Sequence, residues 1–148
     1  MPYHTLVTDS SANKSNLKKG FNKAIEIATA NKPTQLAIFV EQDKCFDTSF
    51  FEECEELKKM MVNLKKNYKI PLQDETGTWS TIHLLTATRM KQMNYSGFSE
   101  GIAFFMFSSP ECLEEAMKKF KIKDFVYCPA YPTDLEKYLT AYPHSTPL

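Results

Sequence analysis

Apolar positions along this chain fall into two kinds of run. Leu36 to Val40 and Ile102 to Phe107 are unbroken, which is how a strand buried on both faces reads. Elsewhere apolar residues recur every three or four positions, the period of an amphipathic helix. Leu17, Phe21, Ala24, Ile25 and Ala28 predict a first helix from about Lys14 to Asn31, stopped by Lys32-Pro33. Phe50, Cys54, Leu57, Met61 and Leu64 predict a second, opened by the Ser49-x-x-Glu52 capping box. Leu113, Ala116, Met117 and Phe120 predict a third from Pro110, with Ser109 as N-cap. Leu135, Tyr138, Leu139 and Tyr142 predict a fourth, with Thr133-x-x-Glu136 as capping box. In the second and third helices glutamates come early and lysines late, complementing the helix dipole. Gly20 inside the first helix marks a close approach to a neighbour.

The remaining strands are shorter or less regular. Leu6 to Thr8 forms the first, and Asp124 to Cys128 the last. Trp79 to Thr88 forms the third main strand, interrupted by His83. Lys69 to Gln73 reads as an edge strand hairpinned to it through a turn at Asp74 to Gly77. Met90 to Glu100 is polar and irregular, so no helix links the third main strand to the fourth. Either that link crosses the sheet or the third strand is antiparallel at an edge. Pro143 ends the last helix, and 143–148 is a short tail.

Strands alternating with amphipathic helices predict a three-layer α/β fold in one domain over 1–148, its mostly parallel sheet of about five main strands covered on both faces. Right-handed crossovers and a buried fourth strand give the expected order 3-2-1-4-5, with the first strand beside 101–107. This arrangement resembles the general Rossmann-like class, which hosts many unrelated functions.

Composition narrows the function classes. Lys plus Arg and Asp plus Glu each total 18, so no bulk field favours nucleic acid or an anionic membrane. No apolar run is long enough to span a bilayer, and the start Met-Pro-Tyr-His-Thr lacks the charge and apolar core of a secretion signal, so a cytoplasmic protein is expected. Cys45, Cys54, Cys112 and Cys128 contain no Cys-x-x-Cys pair, and with His4, His83 and His144 they give no zinc spacing; reduced, core-forming thiols and no metal are expected. The four glycines lie outside the loop after the first strand, so no dinucleotide or P-loop signature is present and no cofactor is expected. Cys128 and His83 are the only candidates for a thiol–imidazole pair, and core packing explains both more simply.

Candidate chemistry gathers at the carboxyl edge of the expected sheet. The loop carrying Asp9, Ser10, Ser11 and Asn13 and the Ser108-Ser109 pair open two helices there, offering hydroxyls and unpaired backbone N–H groups to a small anionic or polar ligand. Arg89, the only arginine, supplies a guanidinium as counter-charge at the exit of the third strand. The alternative is an interaction module, including a homodimer, using exposed aromatics among Tyr68, Trp79, Tyr95, Phe98, Tyr131 and Tyr142. Arg89 and Lys91 are too few to hold a single-stranded nucleic acid with Tyr95 and Phe98.

Overall fold

The computed structural model describes residues 5–7, 14–31, 34–40, 55–86, 98, 100–129 and 131–147. Among them seven strands form one sheet: β1 (Thr5–Val7), β2 (Gln35–Val40), β3 (Lys69–Asp74), β4 (Gly77–Thr86), β5 (Glu100–Ser108), β6 (Lys121–Pro129) and β7 (Thr146–Pro147). The helices are α1 (Lys14–Ala30), α2 (Glu55–Asn67), α3 (Pro110–Lys119) and α4 (Pro132–Ala141). The order is β3-β4-β2-β5-β6-β1-β7. All pairs are parallel except the β3–β4 hairpin.

The mostly parallel α/β sheet is as expected; its order is not. The first strand does not lie beside β5. It pairs with β6 on one side and β7 on the other, so the five main strands run 3-2-4-5-1. The crossover from β1 to β2 passes over two strands, with α1 packed against both β6 and β5. The three-residue β1 is left one strand from an edge. β2 and β5, which carry the unbroken apolar runs, take the centre, paired in register from Gln35 opposite Gly101 to Val40 opposite Met106.

The third main strand, β4, is parallel to β2, so the 87–99 link must return from the carboxyl to the amino edge. The antiparallel edge belongs to β3, the hairpin expected at Lys69 to Gln73. Its turn is closed by Asp74, whose carboxylate accepts from the Thr76 backbone N–H at 2.8 Å, while Gly77 takes φ 113°. The stretch expected as a tail ends in β7, and Tyr138 and Ser145 share a hydroxyl hydrogen bond of 2.8 Å before it.

Both faces are covered. Phe21, Ala24 and Ala28 of α1 and Leu64 of α2 pack on one face against Ile38, Phe104, Met106 and Val126. On the other, Leu113 and Ala116 of α3 and Tyr138 of α4 pack against Phe39, Phe105, Phe125 and Tyr127. The second core is largely aromatic. Phe39 stacks on Phe105 at 4.8 Å, and Tyr127 stacks on Tyr138 at 4.4 Å, which stacks in turn on Tyr142 at 5.1 Å. Phe98, read from the sequence as partly exposed, is buried in this core with its edge to Phe39 and Phe120. It is the described residue of the 87–99 link. Among the described crossover helices, α1 and α2, where the chain steps one way along the sheet, cover one face, and α3 and α4, where it steps the other way, cover the opposite face, so these share one hand.

Local signals explain the helix ends. Ser109 caps α3 as expected, its Oγ accepting from the Cys112 N–H at 3.3 Å, with Pro110 in the first turn. At α4 the expected Thr133 capping box does not form; Pro132 starts the helix, Tyr131 is the N-cap, and no side chain caps it. Tyr68 ends α2 in the left-handed region at φ 63°, its N–H donating to the Leu64 carbonyl at 2.7 Å. The Ser49-x-x-Glu52 box lies outside the described residues.

Two glycines are required by close approach. A Cβ at Gly20 would sit 2.6 Å from the buried Phe104 ring, the neighbour its place in the helix predicted. At Gly101, φ is 147° and a Cβ would be driven into the Gln35 carbonyl oxygen on the neighbouring strand. Gly101→Ala is expected to cost about 2 kcal/mol, from strain plus collision. Gly20→Ala gains about 1 kcal/mol of helix propensity but overpacks the Phe104 site by more, for a net loss of about 1 kcal/mol. Urea denaturation of both variants measures this; a stabilised Gly20→Ala protein would contradict the packing account.

Candidate functional site

Parallel strands put their carboxyl ends, and the helix starts that follow, along one edge of the sheet. Ser108 and Ser109 lie there, at the end of β5 and the start of α3. Asp9, Ser10, Ser11, Asn13 and Arg89 lie outside the described residues. With β1 displaced, Ser108 sits beside the end of β2 rather than beside the first strand. The next described helix after β2, α2, packs on one face and the helix after β5, α3, on the other, so a topological switch point falls between them.

The polar groups described at this edge have internal partners. Ser108 is buried, and its Oγ donates within reach of two carbonyls, Phe39 O and Met106 O, both at 3.4 Å. Its own carbonyl accepts the Tyr127 hydroxyl at 2.6 Å. A bulge at Phe107, between the Met106–Cys128 and Ser108–Pro129 pairs, brings this carbonyl to Tyr127. Ser109 is engaged as the cap of α3. The helix start also carries its own anion: Glu111 is held below the ordinary carboxylate range, first by its backbone N–H, then by Lys137, 3.7 Å away, and the Ser109 hydroxyl.

A concave site formed by described residues lies at the opposite, amino edge, and nothing in the sequence pointed there. It is a cleft of about 760 Å³, within the range of small-molecule pockets. Asn31 and Thr34 line it where α1 gives way to β2, and Glu100 and Ile102 where β5 begins. Met117 and Phe120 come from the end of α3, and Lys121 to Asp124 from the start of β6. Two helices thus end at the cleft. At α1, Asn31 takes two of the last carbonyls, its backbone N–H donating to Ala28 at 3.2 Å and its Nδ2 to Ile27 at 2.7 Å.

A second bulge shapes the cleft. Gly101 pairs with Ile122 but Ile102 pairs with Asp124, so Lys123 is an extra residue in β6. The insertion shifts the side-chain phase by one. Ile122 and Phe125, three apart, therefore both reach the second core. Asp124 takes the phase of Val126 and Cys128, toward the face of α1, and is only 8% exposed. Lys121 and Lys123 are exposed.

The remaining chemical candidates separate. Cys112 and Cys128 are buried free thiols, as expected of core cysteines. Cys128 packs in the first core, whereas His83 lies beside Phe98, 6.0 Å between ring centroids, in the second. The sheet stands between them, so they form no thiol–imidazole pair. Among the described residues no group of His, Cys, Asp and Glu could hold a metal ion, and no helix is long and apolar enough to cross a membrane.

If the hydroxyls at the end of β5 serve the fold, their removal lowers stability. Tyr127→Phe and Ser109→Ala are each expected to cost about 1 kcal/mol. Chemical denaturation checks both; unchanged stability would release these groups from a structural role. No protein-family model, curated protein or solved structure matches this chain.

Proposed function

We propose that the protein is a Rossmann-like, small-molecule-binding domain whose ligand has a polar head and an apolar body. The amino-edge cleft carries this reading. It has the volume of a ligand pocket, a wall of Ile102, Met117, Phe120 and Ile122, and a small set of polar groups at its rim. Such a lining suits a ligand that buries carbon and keeps a charged or hydrogen-bonding end. Binding of an anion at the carboxyl edge, with Asp9, Ser10, Ser11, Asn13, Arg89, Ser108 and Ser109, is the competing site. The internal partners of Ser108 and Ser109 weigh against it.

The second reading is an interaction or homodimeric module without ligand. Tyr131, 60% exposed, and Leu139, 39% exposed, favour it, with half-buried Leu135 between them along α4. The β3 edge does not: Pro71 and a bulge at Leu72–Gln73 blunt it against strand addition.

A thermal-shift screen of amines, amino acids, carboxylates, phosphates and nucleotides tests the proposal on the wild type, Met117→Trp and Arg89→Ala. A ligand near 100 times its dissociation constant should add roughly 2.7 kcal/mol of apparent stability. Loss of the shift in Met117→Trp, which fills the cleft, is the expected result. Loss in Arg89→Ala alone would move the site to the carboxyl edge. A flat screen together with a concentration-dependent dimer in sedimentation would favour the interaction reading.

A further inference from the structure

We propose that the amino-edge cleft selects an amphipathic anion, with the negative head at Lys121 and Lys123 and the carbon skeleton against Phe120, Met117, Ile102 and Ile122; this rests on the cleft being the ligand site. The lining has two lysines, Lys121 and Lys123, and two carboxylates, Glu100 and Asp124, so its formal charge cancels. The four groups differ in what they leave for a ligand. Asp124 is only 8% exposed and already interacts within the protein, so it is committed to the fold. Lys121 and Lys123 are exposed, and their side chains form no ion pair or hydrogen bond with any described residue. Glu100, also exposed, is the carboxylate of the lining left to oppose two ammonium groups.

The helix ends do not reverse this excess. Lys118 and Lys119 occupy the last turn of α3 and offset the partial negative charge of its C-terminus. The Lys119 ammonium lies 5.8 Å from the centroid of the Phe120 ring, so it stays beside a wall residue of the cleft. At α1, Asn31 already takes the Ala28 and Ile27 carbonyls, leaving less of that helix's negative pole unanswered. The half-buried Thr34 adds a hydroxyl donor to the lining. The bulge in β6 arranges the rest: it turns Asp124 into the wall and leaves Lys123, which has no opposite residue on β5, exposed beside it. Ammonium groups on long flexible stems can close on an anionic head while the carbon of the ligand fills the cleft.

Two probes of matched skeleton and opposite charge, 3-phenylpropionate and phenethylamine, test the assignment by calorimetric titration of the full chain. 3-Phenylpropionate is expected to bind about tenfold more tightly or better, and Met117→Trp should abolish its binding. Lys121→Gln combined with Lys123→Gln should weaken it about tenfold, at exposed positions that leave the melting temperature unchanged. Glu100→Gln, which removes the opposing charge, should tighten it a few-fold. Binding should also weaken on raising the salt to about 1 M, where the screening length is about 3 Å. The assignment is overturned if phenethylamine binds as well or better, if the double lysine variant keeps the wild-type affinity, or if neither probe binds. In those cases a different ligand from the wider screen that Met117→Trp abolishes would still leave the cleft a binding site, whereas a flat screen would remove both readings.

Discussion

Everything in this sheet is arranged around β5, a strand with no face for water. Its buried residues alternate between two cores: Ile102, Phe104 and Met106 pack on one side, Ala103 and Phe105 on the other. Such a strand has to be paired along both edges, because an unpaired backbone N–H or carbonyl would be buried with it. β2 and β6 meet that demand. The close pairing with β2 in turn requires glycine at 101, since the Gln35 carbonyl occupies the space of a Cβ.

The two cores solve the problem of covering β5 differently. Toward α1 the contact is tight and mainly aliphatic, with Gly20 removed as an obstacle so that the helix backbone can approach the Phe104 ring. Toward α3 and α4 the space is filled by aromatic rings. Phe98 joins that layer with tilted, edge-type ring contacts to Phe39 and Phe120. The tyrosines Tyr127, Tyr138 and Tyr142 keep their rings stacked, while hydroxyls of the first two reach Ser108 and Ser145. Burial of these amphipathic rings thus ties α4 and the approach to β7 to the sheet.

The two edges of the sheet then differ in what they leave available. At the carboxyl edge of β5 the hydroxyls, the helix start and a carboxylate answer one another, so the local polar groups are spent on the fold. At the amino edge two helices end above strand starts, and a bulge turns one carboxylate inward. The result is a cleft whose polar groups are not all absorbed by secondary structure, which is the condition under which a ligand can compete for them.

The hydrophobic runs, together with the turn, capping and glycine residues placed among them, were enough to determine the α/β layering, the antiparallel β3–β4 hairpin, the Ser109 cap and the meaning of Gly20. Each depends on interactions within a few residues or on the period of one element. Strand order was not legible, because nothing local says that a 17-residue helix will carry the chain past two strands rather than one. Nor was the burial of Phe98, since a single aromatic in a polar stretch has no periodicity to betray it. The cleft was hidden for the same reason. Asn31, Glu100, Met117 and Asp124 are remote in the chain, and one inserted lysine on β6 decides which way Asp124 points. Such a bulge is a relation between two strands, and only their pairing in the folded protein creates it.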